Sequence, residues 1–317
     1  MTNSALNTPM VGSLRDLEFR LGAKRDELRE LLKSRSALYR PYTIRKKQHP
    51  YPGKERRKKA QTEPVKYRKI DDPVRQLKDI QSRILRKILS KAELPAFMFG
   101  AVSGKTLLLH AQEHIKNQTT TVVRMDISSY YPSITCSHVY YVWRDVLACP
   151  PRIAKLLTEL TTYGQHLPQG APTSPAIANI FLASIYAPVC LASEQKGLTI
   201  TTWVDDLIFS GKDARDVMET VRKVLAQNGF KMAPRKREIM GPKTEKVITG
   251  GRLGGRQVRA PHQKMSELRA SIHRLSTSYP RPKSTAIVAT LLAESHIFSQ
   301  SAKKTGKSLY RLPRKRA

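Results

Sequence analysis

Leucines at 14, 17, 21, 28, 31 and 32, with charged residues between them, predict one amphipathic helix across residues 14–32. Val74, Leu77, Ile80, Ile84 and Ile88 recur at helical spacing behind Asp72-Pro73, which reads as the N-cap and first position of a second helix. The centre of the chain alternates between periods. It predicts strand 121–127, helices 137–148 and 151–163, loop 164–173, helix 174–194, hairpin 199–210 and helix 213–227. Residues 246–259 read as short strands punctuated by Gly250-Gly251 and Gly254-Gly255, and helical patterns follow at 262–276 and 284–300. Antiparallel strands split by helices predict an α+β fold, a sheet with helices on one face.

Two acidic sites interrupt the apolar strands. Asp205-Asp206 stands in the middle of the hairpin pattern, and Asp126 closes the run Thr121-Val-Val-Arg-Met. An Asp-Asp pair at a turn has an ordinary structural reading, because Asp tolerates turn geometry and bonds its own backbone. Three carboxylates on neighbouring strands, however, repel one another and lose water on packing. A hard divalent cation relieves both penalties, and magnesium favours such oxygen donors. Carboxylates that clamp two metals are machinery for nucleotidyl transfer.

Between the acids lies Leu167-Pro-Gln-Gly-Ala-Pro-Thr-Ser-Pro-Ala-Ile-Ala-Asn-Ile180, a loop whose Ser174-Pro175 opens an apolar helix. This block resembles a signature of reverse transcriptases in the version carried by retron enzymes. The resemblance continues in order along residues 66–275. Arg68-Lys-Ile-Asp-Asp-Pro73, with Leu77 and Gln81, is similar to the fingers segment, and His110-Ala-Gln-Glu-His114 to the Asn-Ala-x-x-His block, with His in place of Asn. Asp126-Ile-Ser-Ser-Tyr-Tyr-Pro-Ser-Ile134 resembles the first catalytic block. Val247-Ile-Thr-Gly250 resembles the Val-Thr-Gly element, and Leu268–His273 the helix after it. Two positions depart from the family. Trp203-Val204 replaces the usual Tyr-Ala before the paired aspartates, and the segment Phe230–Lys236 lacks the usual Asn before its Lys.

The resemblance implies a right-hand polymerase of α+β class, with fingers, a palm of antiparallel sheet backed by helices, and a small helical thumb. It implies a basic N-terminal extension over 1–65, fingers and palm over 66–230, and the end of the palm with a basic thumb over 231–317. Asp126, Asp205 and Asp206 are the expected metal ligands, for two Mg2+ with Mn2+ as a substitute, and Lys236 the expected general acid to pyrophosphate. Arg68, Gln169 and Gly170 are expected against the nucleotide. Tyr131 is expected beneath its sugar, where a ring would exclude a 2′-hydroxyl; Tyr130 is expected in the core. The implied function is RNA-directed DNA synthesis on a cognate structured RNA, giving RNA-linked single-stranded DNA from deoxynucleoside triphosphates. The implied setting is antiphage defence with a separate effector protein. A non-retron bacterial enzyme of abortive-infection or intron type is the second reading, although Ala171-Pro-Thr-Ser-Pro175 argues against the intron version. An RNA-binding scaffold is the third, disfavoured by the intact acids. His110-Ala-Gln-Glu-His114 also fits an inverted zinc-protease pattern, but no third ligand is nominated.

Charge distribution agrees with a nucleic-acid enzyme. Of the formal +32, residues 1–70 carry 19 basic and 7 acidic residues, 71–230 carry 17 and 14, and 231–317 carry 21 and 4. A near-neutral catalytic centre between basic flanks suits a polyanion partner. Residues 40–69, with 12 basic and 2 acidic residues and four prolines, predict an extended arm ordered on its ligand. Helix 262–276 interleaves Lys264, Arg269 and Arg274 with apolar residues, so these three are the expected RNA contacts. Cys136, Cys149 and Cys190 form no disulfide framework, and neither a signal-peptide pattern nor a long apolar span is present. A cytoplasmic protein that makes no use of a membrane is expected.

Overall fold

The computed structural model describes residues 11–45, 67–233, 237–255 and 257–259, with residues 266 and 270 besides. At the N-terminus the leucine stripe forms two helices, Leu14–Leu21 and Arg25–Lys33, rather than one. Gly22 ends the first in a left-handed conformation (φ 57°), a glycine cap that the leucine spacing does not reveal. Arg83 fastens the break by donating to Leu21 O at 2.8 Å. Leu17, Leu21, Leu28 and Leu31 enter the same core as the central helices and sheet.

Tyr39–Arg45 (β1) and Tyr67–Pro73 (β2) pair as an antiparallel ribbon, from Tyr39 opposite Pro73 to Arg45 opposite Tyr67. Both ends of the expected basic arm are therefore regular strand; residues 46–66 lie outside the described residues. Asp72-Pro73 does not open the helix. It completes β2, Val74 donates to Leu38 O at 2.9 Å, and the helix runs Arg75–Lys87. Cross-strand pairing outranks the local capping signal, and a proline at the end of a ribbon loses no ladder bond. Leu77, Ile80 and Ile84 are buried along the helix, and Ile88 at its end, as the spacing predicts.

The central sheet is four-stranded and antiparallel in the order β4-β5-β3-β6, built from Thr121–Asp126 (β3), Thr199–Trp203 (β4), Asp206–Gly211 (β5) and Glu238–Met240 (β6). Val123, Met125, Leu207 and Phe209 face the main core, with residues of helices Pro151–Thr161, Ser174–Ile185 and Val217–Gln227. The opposite face is not bare. Val122 and Ile208 join Ala111, Met240, Ile248, Leu253 and Val258 in a second cluster. Helix Leu107–Gln112 and a three-stranded sheet of Val247–Ile248 (β7), Gly251–Gly254 (β8) and Gln257–Arg259 (β9) supply that cover. Consecutive apolar residues at 122–123 and 207–209 are the sign of strands covered on both sides.

The expected helix 174–194 is two helices, Ser174–Ile185 and Ala187–Gln195, bent by 60° at Tyr186. Pro188 explains the bend, since it has no N–H and its ring collides with the carbonyl four residues back. Together this pair is apolar enough to resemble a broken membrane span, but Ile177, Ile180, Phe181, Leu182 and Val189 are core residues. Among the described residues no single helix is long and apolar enough to cross a membrane. The expected helices at 262–276 and 284–300 lie outside the described residues, apart from helical positions 266 and 270.

Candidate active site

Asp126 ends β3 directly opposite Asp206, the first residue of β5. Trp203 pairs with Asp206, so Val204-Asp205 is the two-residue turn between β4 and β5. Ile127 N donates to Asp205 O at 3.1 Å, which draws the turn against the end of β3. Asp126 is 4% exposed, and its carbonyl accepts from Ala233 N at 2.8 Å. The acidic sites that are distant in sequence thus meet at one end of the sheet.

Val204 holds the turn with φ 58°. Such hairpins normally place Gly, Asn or Asp in this conformation, and a β-branched residue there is strained by about 1–3 kcal/mol. Strain at the residue before Asp205 makes the turn dependent on its surroundings.

The three carboxylates are not equivalent. Arg124 forks onto Asp206, with Nε at 3.2 Å from Oδ1 and Nη2 on Oδ2. Burial works against the Arg124 guanidinium, but the Asp206 bond and the charges of Asp206, Glu238 and Asp126 outweigh it and raise its pKa. Asp206, expected as a third metal ligand, has its carboxylate held by the bidentate Arg124 cation. Among the described residues no group of three or more acids, histidines or cysteines is arranged to hold an ion. Asp126 and Asp205 stand beside Asp206 at the same end of the sheet. One or two carboxylates, completed by substrate phosphates, is a common magnesium arrangement in polymerases. Arg124 was visible in the sequence, two residues before Asp126 and so on the same strand face.

Tyr131 lies in the helical turn Tyr130–Ser133. Tyr130 is in the core and donates to Ala178 O at 2.8 Å. Tyr131 is half-buried, and burial followed by the Asp205 charge pushes its phenol up to about 12, against the opposing pull of Arg68. Tyr131 is thus within electrostatic reach of both Asp205 and Arg68. Gln169 O accepts from Asp71 N at 2.8 Å, and Gly170 (φ 131°) packs 3.0–3.3 Å from Ile70 and Asp71, measured from where a Cβ would stand. A side chain at 170 would therefore be strained and crowded together. Arg68, Tyr131, Gln169, Gly170, Asp126 and Asp205 are brought to one region. Lys236, Lys264, Arg269 and Arg274 lie outside the described residues.

Behind the hairpin, His110 and His114 are fully buried in a chain of hydroxyls. Asn117 Nδ2 donates to Ser210 Oγ at 3.0 Å, and Ser210 Oγ lies 2.7 Å from His114 Nδ1. Thr201 Oγ1 lies 2.7 Å from His114 Nε2 and 2.6 Å from His110 Nε2, and His110 Nδ1 lies 3.2 Å from Thr249 Oγ1. Every hydrogen is placed if donation runs Asn117, Ser210, His114, Thr201, His110, Thr249, with Thr249 finally donating to Leu107 O at 3.4 Å. The imidazoles are thus joined to hydroxyls of β4, β5 and the Val247–Gly250 segment, which leaves the zinc-protease pattern without ring nitrogens to offer. Burial lowers the His110 pKa to about 4, with Arg124 adding, and that of His114 to about 3, with His110 and Lys116 adding.

The profile of the reverse transcriptase (RNA-dependent DNA polymerase) family matches residues 45–269, and the chain belongs to that family. Its relatives narrow the type. Retron Ec86 reverse transcriptase of Escherichia coli is 28% identical over 273 residues, covering 85% of this chain and 80% of that one. Retron Se72 reverse transcriptase of Salmonella heidelberg is 30% identical over 214 residues, covering 67% and 52%. Retron Ec48 reverse transcriptase of Escherichia coli is 27% identical over 212 residues, covering 62% and 52%, so the match spans about half of these two relatives. The protein is an RNA-directed DNA polymerase of retron type, with the right-hand fold of its family and a general requirement for a divalent metal. The solved apo telomerase of Candida tropicalis, truncated from its C-terminal domain, aligns with a TM-score of 0.43 at 11% identity, over 62% of this chain and 53% of that one. That likeness is too distant to argue from.

Proposed function

We propose that this enzyme copies a dedicated structured RNA, starting from a 2′-hydroxyl within it, and leaves a short DNA joined covalently to that RNA. The observation that carries the polymerase chemistry is the meeting of Asp126 with the Val204-Asp205 turn, sealed by the Ile127–Asp205 backbone bond. Asp126 and Asp205 would hold Mg2+, which when bound supplies charge for activating the primer hydroxyl and steadying the triphosphate. Arg124 holds Asp206 and so fixes the start of β5 beside these two. Arg68 would meet the triphosphate, and the Gln169-Gly170 loop the nucleotide. Lys236 would return a proton to pyrophosphate. Action in the cytoplasm is part of the same reading. Service in antiphage defence with a separate effector protein extends the same reading. Nucleic acid copurified with the protein and supplied with deoxynucleotides should yield DNA that a 2′,5′-debranching treatment releases. Free, unbranched DNA started equally from any annealed primer would overturn it.

Tyr131, half-buried beside Asp205, would stand beneath the incoming sugar. Tyr131→Ala should then raise ribonucleotide use relative to deoxynucleotide use by about a hundredfold, the scale of losing one steric clash of a few kcal/mol. An active variant that discriminates as before would return Tyr131 to a packing role.

Residues 231–317 carry 21 basic and 4 acidic residues, and the expected thumb helix contributes Lys264, Arg269 and Arg274. Structured RNA is read through shape, phosphates and 2′-hydroxyls. Arg269→Ala with Arg274→Ala should weaken cognate-RNA binding and lower the slope of log affinity against log salt by about 1–2. Extension of a saturating generic primer–template should change little. An unaltered affinity and slope would move recognition elsewhere, with the 40–69 arm next.

A further inference from the structure

Gly100 lies under the turn that carries Asp205. A Cβ on Gly100 would stand 2.5 Å from Val204 N, 2.6 Å from Val204 Cγ2 and 2.9 Å from Trp203 C. Its own backbone is not in the left-handed region, so glycine is required here by space rather than by φ. The strand-like segment before it is locked to β4: Thr202 N donates to Phe97 O at 2.9 Å, and Phe99 N to Thr202 O at 3.0 Å. The Gly100 carbonyl has a dedicated partner, Asn179 Nδ2, at 2.8 Å. Asn179 is 1% exposed, on the helix Ser174–Ile185 that follows the Gln169-Gly170 loop. A buried amide on an apolar helix is costly unless it is bonded, and here the bond runs to the residue against which Val204 rests.

We propose that Asn179 and Gly100 form a rest for the catalytic turn. Asn179 holds the Gly100 carbonyl, the bare Cα of Gly100 admits Val204 in its left-handed conformation, and Asp205 is thereby presented at a fixed place beside Asp126. Both are positioning residues, and neither touches substrate. A two-residue turn with a strained β-branched member has other conformations open to it, and a support packed so closely that no Cβ fits selects one. The same rest ties the turn to the helix beginning just after the Gln169-Gly170 loop, so nucleotide-side loop and metal-side turn share one reference point. The inference rests on reading Asp205 as a metal-binding carboxylate.

Five variants test it in the full chain: Gly100→Ala, Asn179→Ala, Val204→Gly, and Gly100→Ala combined with each of the other two. Misplacing a reacting group by fractions of an ångström lowers kcat by about ten- to a hundredfold. Gly100→Ala should show that loss, with nucleotide KM and primer–template Kd within about twofold, because the defect lies in chemistry and not in uniform binding. Val204→Gly removes Cγ2 and accepts either sign of φ. Two of the three clashes are with backbone atoms that Val204→Gly keeps, so Gly100→Ala combined with it should recover part of the lost kcat, relative to Val204→Gly alone, through the added freedom of the turn. Asn179→Ala should give a milder kcat loss in the same direction, with the Gly100→Ala loss no longer additive to it. Thermal unfolding of each variant separates folding from positioning. If Gly100→Ala fails to fold, the Asn179→Ala split between kcat and KM decides the matter. Full kcat in Asn179→Ala or Gly100→Ala, or a loss that Val204→Gly deepens, overturns the rest. Asp205→Asn is run beside them: if it keeps synthesis, the metal reading itself has failed, whereas an inactive Asp205→Asn with fully active rest variants rejects the rest alone.

Discussion

Asp205→Asn, or Asp126→Asn, should remove DNA synthesis almost entirely while RNA binding stays within about twofold of wild type. A carboxylate that holds a catalytic cation supports several kcal/mol of transition-state charge stabilisation. At 1.36 kcal/mol per tenfold, that is a fall of about a thousandfold or more in single-turnover extension. Asparagine preserves the volume and one oxygen, so the turn and its Ile127–Asp205 backbone bond have no reason to move. Asp206→Asn should behave differently. Its carboxylate is held by Arg124 in a partly buried pair, with side-chain exposures of 15% and 34%. Neutralising it leaves the guanidinium beside Asp126 with a weaker partner, and free to turn toward the remaining carboxylates. About a tenfold loss of synthesis, with a measurable drop in thermal midpoint, is expected from losing a charge-assisted bond of that kind. Rapid-quench extension of a saturating primer–template, with filter binding of RNA in parallel, measures both quantities. Retained synthesis in Asp205→Asn would sink the metal assignment. Equal severity in Asp206→Asn would return Asp206 to the ligand set.

The acids were legible in the sequence because ionised residues inside apolar strand patterns are expensive and so conspicuous. Their division of labour was not, since it depends on register. Asp206 falls opposite Asp126, one step from the turn, and only that offset brings Arg124 onto it. Period and length located the strands and most helices. What failed were local signals that tertiary contacts override: Asp72-Pro73 is drawn into β2 by pairing with β1, and the leucine stripe breaks at Gly22, where Arg83 clasps the turn. Gly100 had no local signal at all, because its lack of a side chain matters only through a residue 104 positions later. Asn179 was visible as a polar residue on an apolar helix, which marks a satisfied buried amide without naming its partner.

Acid should weaken the fold through His110 and His114 before most carboxylates titrate. Both rings are held neutral by burial, with pKa values lowered to about 4 and about 3 from an unfolded value of 6.5. Above pH 6.5 folded and unfolded chains carry the same neutral rings, and this contribution is fully present. Below it the unfolded chain takes up protons that the folded chain refuses, so stability falls as pH falls. The slope approaches about 1.4 kcal/mol per pH unit for each histidine. The His110 share levels off near pH 4, and that of His114 near pH 3. The relay explains why protonation is refused. In the donation order from Asn117 to Thr249, His114 Nδ1 and His110 Nε2 are acceptors, facing the hydroxyls of Ser210 and Thr201. A proton on either nitrogen sets donor against donor, in a buried site that Arg124 and Lys116 already make positive. His110→Asn, the residue usual in the family at that position, combined with His114→Gln removes both titrations. Urea unfolding between pH 7.5 and 4.5 should therefore show a lower midpoint at neutral pH for that variant, but a much flatter acid slope than wild type. Because both rings stay neutral in the folded enzyme down to about pH 4, their titration should leave synthesis by folded wild type unchanged across that range while its stability falls. Parallel slopes in wild type and variant would show that these histidines stay neutral, or charge freely, in both states, and the relay would lose its role in holding the hairpin.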